Sequence, residues 1–254
     1  MANESRYAIL DEQYKRDAHK FVFEALRTKD EHNKEVPIGN FPDEPCLRAT
    51  LDDYLVGGKF IRPVDAKYSL AAGTPIEHLE HLYSRGISFT EKSRHVMATW
   101  LTCAYILWRA RYHPYQLIMV QSKREEDVAA LVYDKEPDQA RISFLEWALP
   151  QELQKARFPK DGKYCHIYFT HNGSHIWGIP EGGHIIRSHN PSLIFSDEAA
   201  FQPEFSKAYT AALPAITHGG QLIVVSSAEA SELMKLVEYD ERAEHSDILV
   251  THEV

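Results

Sequence analysis

Apolar and polar positions alternate in two different ways along this chain. Over residues 1 to about 30 the apolar side chains recur at helical spacing (Tyr7, Leu10, Tyr14, Ala18, Phe21, Val22, Ala25, Leu26) with charges between them. That pattern predicts an amphipathic helix packed on the rest of the domain. Residues 28–45 are polar and interrupted by Pro37, Gly39, Pro42 and Pro45, the composition of a loop or linker. Residues 47–70 are mixed, with a turn at Gly57-Gly58, and residues 75–83 read as a short helix.

From Gly86 onward, short apolar runs and helical patterns take turns. Ile87-Ser88-Phe89-Thr90 alternates like a strand, residues 91–100 form a polar loop, and residues 101–108 are an apolar helical run. A second strand follows over residues 115–121; Ser122 stands where an N-cap belongs, and Glu125, Glu126 and Asp127 suit the first turn of a helix. Strand, helix, strand, helix predicts a parallel sheet. Residues 141–155 read as helix broken around Pro150. Asn172-Gly173, between β-rich runs at 164–170 and 174–179, predicts an inserted antiparallel hairpin. Residues 184–190 read as a short strand and loop, 204–213 as a helix, 221–228 as a strand running into Ser226 and Ser227, and 229–237 as a helix. The chain shows no internal repeat.

The run Ser192-Leu193-Ile194-Phe195-Ser196 ends abruptly in Asp197-Glu198. A short apolar run after Pro191 is the pattern of a buried parallel strand, and ligands of open α/β sheets gather at the carboxyl ends of such strands. Two adjacent acids there have the chemistry to hold a divalent cation and to orient and deprotonate a water molecule. Strand, polar loop and helix over residues 87–108 is also the layout of a phosphate-binding loop. Laid on the G-x-x-x-x-G-K-[ST] frame, Lys92 takes the first glycine's place, Met97 the second, Ala98 the lysine's and Thr99 the hydroxyl's. Lys92 and Arg94 supply cations for phosphate, beside the partial positive charge of a helix N-terminus.

Composition narrows the classes further. A chain of 254 residues with 44% hydrophobic positions can bury a substantial core. Its net charge of −9 argues against a surface that grips nucleic acid everywhere, so any such contact is local or supplied by another subunit. Cys46, Cys103 and Cys165 lie far apart and make neither a disulfide framework nor a zinc pattern, which fits a reducing cytoplasm. No apolar window is long enough to span a membrane, and the charged start is unlike a signal peptide. Of the five histidines from His166 to His189, only His166 and His175 can face one another across the hairpin. Without a carboxylate or cysteine beside them they read as polar strand faces rather than metal ligands.

The order of cationic loop, Asp197-Glu198 and Ser226-Ser227 resembles the ATPase domain of the large terminase subunit, the motor that packages DNA into tailed bacteriophages. Lys92-Ser93-Arg94-His95-Val96-Met97-Ala98-Thr99-Trp100 is similar to the family's K-S-R-x-x-G-x-[ST]-W loop, some members of which keep their lysine at the first position. Residues 193–201 resemble its acidic strand with the D-E-A-A ending, Val225-Ser226-Ser227-Ala228 its hydroxyl-rich coupling motif, and Ile186-Arg187-Ser188 the arginine ahead of the acidic strand. The resemblance covers roughly residues 75–237, with Met97 and Ala98 departing from the loop pattern.

The resemblance implies an α/β fold of the P-loop NTPase type, with an additional strand and a catalytic glutamate: a mainly parallel sheet flanked by helices, plus the hairpin. It implies an N-terminal segment over residues 1–70, an ATPase core over 71–240, and an acidic tail or linker over 241–254. The family's nuclease domain has no room in this chain, whose end just past the coupling motif reads as a truncation. ATP and Mg2+ are the implied ligands. Lys92, Ser93, Arg94, His95, Val96, Met97, Ala98 and Thr99 would surround the phosphates, and Thr99 and Asp197 would hold the metal. Glu198 would be the base, Arg94 would stabilise the γ-phosphate, and Ser226 and Ser227 would sense it. Arg187 would be an arginine finger or inter-subunit contact. Implied partners are double-stranded DNA, a portal protein, a small terminase subunit and further copies in a ring, all in the host cytoplasm, the isolated chain being a monomer. A non-catalytic scaffold with a degenerate phosphate loop and a helicase-like translocase remain open at this stage.

Overall fold

The computed structural model describes residues 2–29, 34–41, 44–56, 86–92, 97–158, 165–227 and 249–251. The chain begins with α1 (Ala2–Arg16) and α2 (Ala18–Lys20), followed by a π-helical turn (Phe21–Ala25), β1 (Arg27–Lys29), β2 (Glu35–Pro37) and α3 (Glu44–Val56). Next come β3 (Ile87–Lys92), α4 (Ala98–Tyr112), β4 (Leu117–Gln121), α5 (Glu125–Leu131) and α6 (Arg141–Trp147). The remainder is β5 (His166–Phe169), β6 (Ser174–Ile179), α7 (His184–Arg187), β7 (Leu193–Asp197), α8 (Phe205–Thr217), β8 (Gln221–Ser227) and β9 (Leu249–Thr251).

Seven strands form one sheet in the order β5-β6-β4-β7-β8-β3-β9. All neighbours are parallel except β5 and β6, the expected hairpin. Alternate side chains of the central strands feed two cores. Leu193 and Phe195 of β7 join Ile118, Val120, Ile223 and Val225 under α4, while Ile194 joins Met119, Leu222 and Val224 under α8. A strand buried on both faces needs a continuous apolar run, which β7 and β8 have.

Helix α4 is the main support of the first core, buried along nearly its whole length. Its C-terminal carbonyls are collected by the hairpin turn: Asn172 Nδ2 donates to Ala110 O at 2.9 Å and to Arg111 O and His113 O at 3.1 Å. Gly173 follows with φ +73°, and a Cβ there would lie 2.9 Å from the Tyr115 ring, so the turn requires glycine. On the helix itself the Arg111 guanidinium is buried and meets Glu146 Oε1 and Oε2 at 3.0 and 2.8 Å and Asp11 Oδ1 at 3.3 Å. Asp11 also pairs with Lys155 and accepts from the Tyr112 hydroxyl at 3.0 Å. One buried cation thus ties α1, α4 and α6 together.

Several elements differ from the sequence expectation. The N-terminal helix stops at Arg16, because Asp17 leaves helical geometry (φ −135°) and its carboxylate caps the Lys20 N–H at 3.0 Å. Inside residues 28–45, read as loop, Thr28 pairs with Val36 in a small antiparallel ribbon; a pairing between polar segments leaves no periodicity to detect. Residues 184–187, read as strand, form the single turn of α7. Only Ile186 of the Ile185-Ile186 pair is buried, and Gly183 lets the turn approach α8 so closely that a Cβ would lie 2.7 Å from Lys207 O. Helix α8 continues through Pro214 to Thr217. Leu249–Thr251, expected in an acidic tail, pair in parallel with Ser88–Thr90. The helices expected at 75–83 and 229–237 and the turn at Gly57-Gly58 lie outside the described residues.

Removing one partner of a buried ion pair costs ~3–5 kcal/mol, because it leaves the other charge uncompensated. Glu146→Ala should therefore lower the melting temperature by ~10 °C or more. The double replacement Arg111→Met with Glu146→Leu should recover most of that loss. A Glu146→Ala variant that melts with the parent would exclude this role for the pair.

Candidate functional site

The register of β8 assembles the site. This strand lies between β3 and β7, with Ser227 opposite Lys92 and Val225 opposite Asp197. Three strand ends widely separated in sequence therefore emerge side by side at the carboxyl edge of the sheet, next to the first turn of α4.

Asp197 is buried, with 7% of its surface exposed. Its Oδ1 accepts from Thr99 Oγ1 at 3.0 Å. Burial pushes its carboxyl up to about 6, against an opposing pull from Lys92. Its backbone carbonyl accepts from Gln202 Nε2 at 2.9 Å and from Ser122 Oγ at 3.3 Å, which fixes the strand end.

Glu198 leaves the strand in the left-handed region, at φ 49° and ψ 45°. This conformation is costly for a residue with a side chain, and such strain concentrates at functional sites. It turns the carboxylate toward β3 and β8. Oε1 meets Lys92 Nζ at 2.7 Å and the Ser227 hydroxyl at 3.5 Å, and Oε2 accepts from the Ser227 N–H at 3.2 Å. Partial burial raises its pKa, but the hydrogen bonds from Lys92 and Ser227 and the Lys92 charge outweigh it, so the net shift is downward. Two neighbouring acids are thereby driven in opposite directions. Such a split marks carboxylates with different tasks.

The remaining sequence candidates divide by place. Met97 caps α4 without a side-chain hydrogen bond, is buried, and has φ −74°, so this position of the loop does not need glycine's conformational freedom. Ala98 is the first residue of α4 and is buried beside Thr99. Ser226 Oγ accepts from the Ala200 N–H at 3.0 Å, linking β8 to the turn after the acids. Ser93, Arg94, His95 and Val96 lie outside the described residues. Arg187 is not part of this cluster. It sits on α7, before the amino end of β7, roughly 13 Å or more along the strand from the acids. There it is exposed and lines a cavity of about 290 Å³ with His189, Pro214 and His218. The His166 and His175 rings are 6.4 Å apart, and among the described residues no group of three or more His, Cys, Asp or Glu is arranged to hold a metal.

Sequence reasoning assigned Ser122 to an N-cap, yet α5 is preceded by Arg124 with no side-chain cap, and Ser122 serves Asp197 instead. It also missed Gln121 and Gln202, joined at 3.3 Å beneath the acids, where both reach Ser196 Oγ. The strand-end rule that singled out Asp197 applies equally to Gln121-Ser122 at the end of β4.

The donor set fits a hard divalent cation. Thr99 Oγ1 and Asp197 Oδ1 are paired oxygens at a helix start, and among the described residues the carboxylate receives one neutral donor. Lys92 and the N-terminus of a 15-residue helix add positive charge beside them, which suits phosphate.

The chain matches no protein-family model and no curated protein. Among solved structures it is similar to the large terminase of a thermophilic bacteriophage in complex with ADP. That match has 15% identity and a TM-score of 0.51 over 82% of this chain and 44% of that one. It is also similar to the large terminase of bacteriophage HK97, at 14% identity and a TM-score of 0.50 over 80% of this chain and 43% of that one. The chain thus spans less than half the length of either protein. The shared architecture is the P-loop NTPase fold, here with β8 as the additional strand between β3 and β7.

The raised Asp197 pKa has a measurable sign. The folded state holds this proton more tightly than the unfolded chain, whose carboxyl has the ordinary value of 3.8, so stability falls as pH rises from about 4 to about 6. In magnesium-free buffer, Asp197→Asn should melt above the parent at pH 7.5, by up to ~3 kcal/mol or ~5–10 °C. The gap should close below pH 4. A gap independent of pH would contradict the assignment.

Proposed function

We propose that this chain is the ATP-hydrolysing motor domain of a viral large terminase, driving double-stranded DNA into a procapsid. The observation that carries the reading is the pair of strand-end contacts, Lys92 to Glu198 at 2.7 Å and Thr99 to Asp197 at 3.0 Å, on a sheet shared with two large terminases. A cation, a hydroxyl, a buried acid and a second acid of lowered pKa are the parts that hydrolysis of a phosphoanhydride needs.

The geometry supports the following roles. Thr99 and Asp197 would hold Mg2+, which would supply positive charge to stabilise the phosphates during transfer. Lys92, paired with Glu198 in the free chain, moves to the phosphates. Its departure frees the Glu198 carboxylate to orient a water and accept its proton as the water oxygen attacks the γ-phosphorus. The bond from that phosphorus to the bridging oxygen breaks, leaving ADP and inorganic phosphate. Ser227, bonded to Glu198 through both its N–H and its hydroxyl, links this event to β8, and Ser226 links β8 to the turn after the acids. Arg94, in the loop, is assigned to the γ-phosphate.

Arg187 is assigned to a neighbouring subunit's site. Among the described residues its guanidinium has no ion-pair or hydrogen-bond partner, and its place far from the acids of its own chain suits action in trans. The reading carries a homo-oligomeric ring, with a portal protein and a small terminase subunit as partners.

Replacing Glu198 by Gln should abolish ATP hydrolysis while nucleotide binding, measured by calorimetry, persists. Parental turnover by Glu198→Gln would remove it as the base. No binding at millimolar ATP, with Lys92→Ala changing nothing, would favour a non-catalytic scaffold instead. Arg187→Ala should lose ~10³-fold or more of the assembled ATPase rate. Mixing it with Glu198→Gln should restore turnover, since each variant supplies what the other lacks; two inactive variants that stay inactive when mixed would place the finger elsewhere.

A further inference from the structure

One cation near the acids has no part in these assignments. Arg141 opens α6, which packs against α4, and its guanidinium lies over the Trp100 ring, 5.6 Å from the centroid. Trp100 is the residue after Thr99, whose hydroxyl is 3.0 Å from Asp197. The platform is fixed from behind. The Trp100 and Phe144 rings meet edge to face at 6.2 Å, and Lys29 Nζ stands 4.7 Å above Phe144 while donating to Asp138 O at 2.9 Å, just ahead of α6.

Arg141 differs in its partners from the other described cations of this core. Lys92 is bound to Glu198 and Arg111 to Glu146 and Asp11, whereas the Arg141 guanidinium has neither an ion pair nor a hydrogen bond among the described residues. A guanidinium held over an indole by its charge can still present N–H groups to paired oxygens. Against the larger effect of burial, the positive charge of Arg141 lowers the pKa of Asp197 and of Cys103 of α4.

We propose that Arg141 is a further catalytic residue, a guanidinium held by Trp100 to contact the phosphate oxygens of the bound nucleoside triphosphate from its own chain. The proposal rests on the ATPase reading. It deepens that reading by giving the site a cation in cis that is distinct from Lys92, from the loop and from Arg187. A guanidinium kept in position by a ring, with no carboxylate to release first, is preorganised for charge that develops on phosphate.

The test uses the full chain with Mg2+, comparing the parent with Arg141→Ala and Arg141→Lys by calorimetry with ATPγS, steady-state hydrolysis and thermal melting. Arg141→Ala should bind ATPγS ~10-fold more weakly and turn over ~10²-fold more slowly, with its melting temperature unchanged. Arg141→Lys should fall between the two, and millimolar guanidinium should restore part of the Arg141→Ala rate. An active parent with an equally active Arg141→Ala overturns this proposal alone. A rate loss accompanied by a lower melting temperature and no rescue by guanidinium also overturns it, because the role is then structural. A parent that neither binds ATPγS nor hydrolyses ATP defeats the ATPase reading, and the role of Arg141 with it.

Discussion

Desolvation of the Asp197 carboxylate is the constraint on which the carboxyl edge of this sheet is built. A carboxyl at the end of a strand buried on both faces loses its water, and an ionised group there is expensive unless it is paired. The surrounding polar groups fix its position more than they neutralise it. Gln202 and Ser122 hold the backbone carbonyl, Gln121 supports Gln202, and among the described residues Thr99 alone reaches the carboxylate itself. The result is a carboxyl that burial pushes up to about 6. One residue on, the left-handed turn at Glu198 resolves the same difficulty by leaving the strand and finding Lys92 and Ser227.

The rest of the molecule holds this edge in place. Helix α4 begins at Thr99's turn and ends against Asn172 of the hairpin, so the metal-binding hydroxyl proposed here is the near end of a rod anchored at both tips. Arg111, in the last turn of the same helix, joins it to α1 and α6 through a buried ion pair. Such a pair adds little net stability over an apolar replacement, but it fixes how the three helices meet. The orientation of α6 matters to the site because its first residue is Arg141. Trp100, Phe144 and Lys29 form the contact that carries Arg141 to the start of α4.

The chemistry has two separate faces. The carboxyl edge gathers Lys92, Thr99, Asp197, Glu198 and Ser227, while Arg187 stands beyond the amino end of β7 with His189 and His218 around a shared cavity. A parallel strand separates its two ends by its own length, so no side-chain rearrangement within the chain joins these groups.

Strand β7 was legible in the sequence because burial on both faces demands an unbroken apolar run, and its end was legible because that run meets two charges without transition. The hairpin was equally plain, since Asn172-Gly173 encodes its own turn. Thr99, Lys92, Ser226 and Ser227 were legible as strand-end or helix-start residues in a fixed order. What the sequence left undetermined was adjacency. Whether β8 lies between β3 and β7, and so whether Ser227 faces Lys92, depends on how non-local strands pair, and periodicity within a strand carries no information about its neighbours. The same limit hid the β1-β2 ribbon and the joining of β9 to β3, and it made Ser122 look like a helix cap when its partner lies 75 residues away. Arg141 was silent for the same reason. An arginine at a helix start has an ordinary identity, and only the packing of α6 on α4 sets it over Trp100, the residue after Thr99.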